Sequence, residues 1–364
     1  MTVRNYLAQI FDGMAKGLFA SLIVGTIVAQ IGSSLGNIDS EVIGVIALGL
    51  EQIGRAAQLM MGPAIGAGVA MKRVASTDSS SAPKPFTMLA AVSAGTLGAG
   101  TLSFIDGGIG VASVSVGDPH GALLAVIVAI EIVKHIEGKT KFDLLIIPTL
   151  VITISGTIGL IVTPIISVTM ARFGEFVVRI TDLHTLPMSI LIAVIIGLTL
   201  TLPIVSSAAL CIAIGIGIPA EGTTELGTIA AGAALAGASA QMVGFAVSSF
   251  RENGISGLIS QGIGTSMIQM PNIIKNPWVW LPPIVASAVS GPFSAVILGL
   301  RTTSVGAGMG TSGLVGPLQT IYAMGIGGFL PMILACVVVP AVIALVLSEL
   351  MRRKGLIRMG DLRL

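Results

Sequence analysis

The chain has 364 residues, of which 54% are apolar and only 10% charged, and its mean hydropathy is +0.99. A soluble domain carries about 25% charged residues because its water-facing surface must be covered, so this composition excludes a soluble globule and calls for a surface that faces lipid. The formal net charge of +2 argues against a nucleic-acid partner, which a basic patch would attract.

Two closed architectures satisfy the backbone inside a bilayer, the helix and the β-barrel. Barrel strands need about ten residues of alternating polarity, whereas the runs here are longer and uniformly apolar. The expectation is an all-α polytopic membrane protein of about nine or ten transmembrane helices, with about 20 apolar residues per span. The 47 glycines and 17 prolines suit such helices, where Gly allows close packing and neighbours re-satisfy groups freed by Pro. Cys211 and Cys336 both lie in apolar runs and read as buried, inert thiols. The N-terminus lacks the pattern of a removed signal peptide, so membrane targeting is expected to rest on the first hydrophobic helix.

In chain order, residues 1–16 place Val3, Tyr6, Leu7, Ile10, Phe11 and Met14 at helical spacing opposite Arg4, Asn5, Asp12 and Lys16. This is an amphipathic helix suited to the headgroup plane. A single transmembrane domain is expected over 17–350 and a basic cytoplasmic tail over 351–364. The first span covers Gly17 to Ile31, and a second run, Val42 to Met71, is interrupted by Glu51 and Arg55. A Ser-rich loop (72–84) precedes a third span, Phe86 to Phe104; the Gly-rich stretch IDGGIGVASVSVGDPHG then leads to a fourth at Ala122 to Val133. Leu144 to Met170 contains Pro148 and Pro164, and Pro187 to Ile218 is broken at Pro203. The segment AEGTTE leads into a span at Leu226 to Phe250, and RENGISGLISQGIGTSMIQMPNIIKN reads as a surface or re-entrant segment. The last spans are Pro277 to Leu300 and Leu318 to Leu347, separated by RTTSVGAGMGTSGLVGP.

Lys and Arg in short loops set orientation. Arg352, Arg353, Lys354 and Arg358 place the C-terminus in the cytoplasm, as Lys72, Arg73 and Lys84 do for the second loop. Counting spans from both ends leaves one crossing too few. Either a break at the prolines of Leu144 to Met170 or a split at Pro203 restores parity.

An internal repeat is suggested over about 17–135 and 187–350: Lys84-Pro85-Phe86 with AAVSAGTLGAG resembles Asn276-Pro277-Trp278 with IVASAVSGP. Each copy leads to a Gly-rich turn, ending at Val116-Gly117-Asp118-Pro119 and Val315-Gly316-Pro317. Interrupted segments at matching positions are the best sequence pointer to a transporter binding site. The first turn carries Asp106, Asp118 and His120, and reads either as a half-helix starting at Pro119 and aimed at a solute or as an extracellular loop capped by Asp118. The second carries Thr311 and Ser312.

Glu51 and Arg55 stand four apart in the favourable order, and each costs roughly 2.5 to 3.5 kcal/mol at mid-bilayer. They read as a structural pair or as the lining of a solute path. Glu221 and Glu225 flank two threonines and read as solute ligands or as a solvated loop. Gln241, Asn253, Gln261, Gln269 and Asn272 are polar groups in or near membrane segments, suited to bonding a solute or to joining helices. No nucleophile–base constellation, phosphate loop or metal-ligand spacing is present in the sequence. No catalytic residue, cofactor or metal is therefore expected.

The amphipathic start running into DGMAKGLFASLIVGTI, together with RAAQLMMGPAIGAGVAMK, VGDPHG and GTSGLVGP, resembles the second family of phosphotransferase-system membrane components, the EIIC-like proteins. The resemblance spans nearly the whole chain. It implies a permease of about ten helices, often a homodimer, carrying a sugar or related polar solute across a bacterial plasma membrane. Phosphorylation would come from separate cytoplasmic IIA and IIB proteins, since neither domain is attached. A membrane-embedded solute sensor or regulator is the alternative, as is an ion-coupled transporter of a non-sugar metabolite.

Overall fold

The computed structural model describes residues 3–36, 40–75, 85–105, 108–111, 119–137, 139, 142–181, 184–202, 207, 210–211, 216–217 and 225–364. The chain divides into two units, Met1–Val168 and Thr169–Leu364. Among the described residues, seven helices are long and apolar enough to cross a membrane, and two shorter apolar helices, Thr87–Gly100 and Thr185–Thr201, accompany them.

In the first unit α1 (Val3–Leu18) continues through one π-turn (Phe19–Ile23) into α2 (Val24–Leu35). The amphipathic stretch is thus continuous with the first span. Its apolar side, with Ile10, Met14 and Leu18, is buried, and Asp12 pairs with Lys16 at 3.1 Å and with Lys72 at 2.6 Å. Lys72 belongs to α4 (Met61–Ala75), which follows α3 (Glu41–Leu59). A Cβ at Gly13 would lie 2.6 Å from the carbonyl oxygen of Gly68, so α1 and α4 approach to a distance that only glycine permits. That is how small residues let membrane helices gain packing energy.

The third span is shorter than its apolar run. Helix α5 (Pro85–Thr96) passes through a π-turn (Leu97–Thr101) in which Gly100 takes φ 90°. The chain then forms an antiparallel pair, β1 (Leu102–Ile105) with β2 (Gly108–Val111), in the register Ser103 to Gly110 and Phe104 to Ile109. This hairpin is the one departure from the all-α expectation among the described residues. Its open edges cannot face hydrocarbon.

Helix α6 (Pro119–Ile136) has proline in its first turn, where the missing N–H has no helical partner to lose. Helix α7 (Asp143–Thr181) runs unbroken for 39 residues through Pro148 and Pro164. Of the two ways to restore parity, a break at those prolines is therefore not taken. The chain leaves helix after Thr201, where Leu202 is extended (ψ 126°).

The second unit is built around α9 (Glu225–Ser248). Its sequence is largely Ala and Gly, and it is buried on all sides, as expected of a helix that is apolar all round. At 1.5 Å per residue its length is about 36 Å, enough to cross a bilayer. Helices α8 (Thr185–Thr201), α12 (Leu281–Pro292) and α16 (Val339–Arg353) pack against it, α16 following the short α15 (Phe329–Ile333) and a π-turn (Leu334–Val338). The hydrocarbon-like core around it includes Met188, Ile192, Ile196 and Met242.

Candidate functional site: two re-entrant segments meeting on a central helix

The first segment leaves the Ser248 end of α9 as α10 (Phe250–Ile259), tightens into a π-turn (Ser260–Gly264) and breaks at Thr265 (φ −161°, ψ 146°). It returns through a 3₁₀ turn (Ser266–Gln269) and α11 (Met270–Lys275). Its depth is marked by its partners. Gln261 Nε2 donates to Ser249 Oγ (2.7 Å) near the end of α9, whereas Ser266 Oγ lies 2.8 Å from Thr201 Oγ1, which in turn donates to Gln241 Oε1 (3.3 Å). Gln241 stands seven residues, or about 10 Å, inside the end of α9.

The second segment enters from the other end. After α12 and a π-turn (Phe293–Ile297), Leu300 packs against Gly232, and α13 (Ser304–Met309) runs inward along α9. The helix stops at Gly310 (φ 57°, ψ −137°), where a Cβ would sit 2.9 Å from the Ala238 carbonyl carbon. Glycine is required there on both counts, conformation and space. The tip turns through Ser312–Leu314, with Leu314 itself left-handed (φ 59°), and returns as α14 (Val315–Met324). Thr303 Oγ1 accepts from Gly306 N (3.2 Å) and donates to Gln319 Oε1 (2.9 Å), tying the two arms together.

The tips meet beside Met242. Thr311 Oγ1 donates to Gly262 O at 2.6 Å and Ser312 Oγ donates to Gly264 O at 2.8 Å. Both side chains are buried, at 5% and 1% exposure, as is Gly264, whereas Gly262 is half-buried. Irregular backbone at this depth is tolerated only inside protein or along a solute cavity.

Next to the junction lies a neutral polar centre. Gln241 Oε1 accepts from Trp280 Nε1 (2.9 Å) and from Thr201, while its Nε2 donates to Ser287 Oγ (3.1 Å). Ser287 in turn shares its single O–H between Gly237 O and Pro283 O, both at 3.0 Å. A cavity of about 450 Å³ opens on the other side, walled by Leu258, Ile263, Leu314, Phe329 and Met332 among others. Its one hydroxyl, Thr311, donates to Gly262 O, and the rest of its wall is apolar.

Thr311 and Ser312 therefore sit where two interrupted segments join. Glu51 and Arg55 form an intrahelical pair at 2.6 Å on α3, with Arg55 64% exposed. His120 is the half-buried second residue of α6. Glu225 is the first residue of α9, while Asp106, Asp118 and Glu221 lie outside the described residues. Of the five amides read from the sequence, Gln241 belongs to the polar centre; Gln261, Gln269 and Asn272 form a chain in which Gln269 donates to Gln261 Oε1 (2.8 Å) and Asn272 to Gln269 Oε1 (2.7 Å). Thr201, Ser266, Trp280 and Ser287 carried no sequence signal, since single hydroxyls and one indole are common in apolar runs.

A central helix buried on every side, two interrupted segments that meet along it and seven apolar helices of spanning length among the described residues define a polytopic membrane protein. The chain belongs to the phosphotransferase-system EIIC family PTS_EIIC_2, whose model matches residues 8–364. No curated protein matches it. Among solved structures it is similar to the transporter ChbC, the IIC component from the N,N'-diacetylchitobiose-specific phosphotransferase system. That likeness has 15% identity and a TM-score of 0.43, and covers 97% of this chain and 96% of the other.

Proposed function

We propose that the protein is the membrane permease of a phosphotransferase system, passing a sugar or related small polar solute across the bacterial plasma membrane. Separate cytoplasmic IIA- and IIB-type proteins supply the phosphoryl group, the C-terminus is cytoplasmic, and the working form is a homodimer. The observation that carries this reading is the tip-to-tip junction at Thr311 and Ser312 in a member of the EIIC family. Two short hydroxyl–carbonyl bonds close the path between the re-entrant segments, and a solute hydroxyl offers the same chemistry as the groups it would displace. Asp106, Asp118, His120, Glu221 and Glu225 are assigned to the solute route by their place in Gly-rich or polar interruptions, and Glu51 and Arg55 by their place in an apolar run.

The test is a thermal-shift screen of the purified protein against sugars, sugar acids, nucleosides and small carboxylates, followed by flux of any hit in proteoliposomes. A ligand that binds only the folded state adds about 2.7 kcal/mol at a hundredfold excess over Kd. A sugar hit that is lost in Thr311→Val and is transported supports the reading. Binding without flux points to the sensor, and a hit confined to anions or nucleosides overturns the sugar assignment.

A further inference from the structure

The basic C-terminal segment is folded into the second unit. Helix α16 ends at Arg353, Gly355 turns the chain in the left-handed region (φ 72°), and the side chains of Ile357 and Leu362 are buried at 2% and 0% exposure. What holds it is a set of carboxamides that read its main chain. Asn253 donates to Leu362 O (2.8 Å) and accepts from Leu364 N (3.0 Å); Gln269 donates to Leu362 O (3.0 Å), Asn272 to Arg363 O (2.9 Å) and Asn276 to Leu356 O (2.9 Å). Asn276 also donates to Asp361 Oδ2 (2.8 Å), and Glu252 Oε1 accepts from Gly360 N (2.9 Å).

These receivers stand on both arms of one hairpin. Glu252 and Asn253 lie on the descending arm α10, while Gln269, Asn272 and Asn276 lie on or just after the returning arm. Leu362 O is shared between the arms, because Asn253 and Gln269 both donate to it. Gln269 passes the connection on to Gln261, one residue from the Gly262 carbonyl that Thr311 holds. The tail therefore joins the two arms at their base, and the carboxamide chain links that base to the tip.

We infer that residues 355–364 are a staple for the 250–276 hairpin, a positioning segment that keeps its arms together and so keeps its tip sealed against Thr311 and Ser312. Recognition through main-chain groups has a specific consequence. The exposed side chains of Arg358 and Arg363 are dispensable, whereas Leu362, Asn253 and Asn272 are not.

The experiment follows exposure of the tip without any solute, so its result stands apart from the transport reading. A Ser266→Cys reporter is introduced into the full chain, where Ser266 is fully buried and the native Cys211 and Cys336 are buried as well. Maleimide labelling of the introduced thiol in detergent is timed for that protein, for a chain ending at Lys354, and for an intact chain carrying Asn253→Ala and Asn272→Ala. Labelling is expected to quicken about tenfold or more in both variants, the population change that about 1.4 kcal/mol produces. A synthetic peptide of residues 355–364 should restore slow labelling to the shortened chain. Arg358→Ala with Arg363→Ala should label like the parent. The inference is overturned by parental labelling rates in the Asn253/Asn272 variant, by a shortened chain that labels slowly, or by fast labelling that the peptide does not reverse. Should the shortened chain fail to fold, the Asn253/Asn272 variant decides alone.

Discussion

Gln241→Met is the most direct probe of the polar centre. The change preserves side-chain length and volume and deletes both ends of an amide that serves three partners on three other elements, Trp280, Thr201 and Ser287. Hydrogen bonds between membrane helices contribute about 0.6 kcal/mol on average and about 1.7 at most, so three of them set an expected loss of about 2 kcal/mol. The distribution of that loss is also fixed by the structure. Ser287 keeps its bonds to Gly237 O and Pro283 O, and Thr201 keeps Ser266. Trp280 is the partner left without its acceptor, and it is half-buried, so water replaces part of what is lost. Gln241→Glu should be worse than Gln241→Met, because a carboxylate at this depth adds roughly 2.5 to 3.5 kcal/mol. Unfolding in mixed micelles with increasing SDS measures both, and a double-mutant cycle with Thr201→Val isolates one of the three bonds. A Gln241→Met protein within about 0.5 kcal/mol of the parent, or strict additivity with Thr201→Val, would refute the reasoning, since mutations without shared partners add to about that precision.

Other substitutions test separate elements of the same unit and of the first. Arg352 and Glu252 form a pair with side chains only 10% and 3% exposed, so Arg352→Met should destabilise by about 3 to 5 kcal/mol, and adding Glu252→Gln should recover much of it in the same unfolding assay. Gly310→Ala places a Cβ against Ala238 in a left-handed conformation, while Gly299→Ala shares the positive φ but meets nothing within 4 Å. Both lose the roughly 1 to 2 kcal/mol of left-handed strain, and only Gly310→Ala should also lower the yield of folded protein. Glu51 and Arg55 pair within a candidate span, so Arg55→Gln, which leaves Glu51 without its partner, should destabilise by up to roughly 2.5 to 3.5 kcal/mol, read as a lowered melting temperature. An uptake rate per folded protein that stays unchanged would remove the pair from the solute route.

Uniform apolarity made the spans legible, and density of glycine marked the second re-entrant segment. A stretch such as SVGAGMGTSG forms no stable uninterrupted helix and cannot face lipid, so its hydroxyls were bound to meet protein or solute. Other features left weaker traces. The hairpin of β1 and β2 uses four residues per strand, too few for alternation to separate it from the end of an apolar helix. The partners of Gln241 lie 39 to 46 residues away in the chain, beyond any local periodicity. The tail read as a charged extension because its cations are conspicuous, yet it is held by its carbonyls, and a main chain read by side-chain amides leaves no signature in the sequence being read.

Among the described residues, the chemistry at depth in the second unit is neutral. Its described ionic pairs, Arg352 with Glu252 and Arg251 with Glu349, lie at the end of α9 and α16, while the junction and the polar centre use hydroxyls, carboxamides, one indole and backbone carbonyls. The difference has a physical consequence. A buried ion pair that loses one member is left with a penalty of about 3 to 5 kcal/mol, which would lock the structure. A hydroxyl–carbonyl bond worth about 0.6 to 1.7 kcal/mol is exchanged for an equivalent bond at little net cost. Under the proposed transport function, Thr311 and Ser312 would hold the two tips together through bonds weak enough for a hydroxylated solute arriving between them to take over the same donors and acceptors. On this account Thr311→Ser preserves the bond to Gly262 and the route, whereas a carboxylate at either position would tie the junction to a charge that nothing among the described residues beside it neutralises.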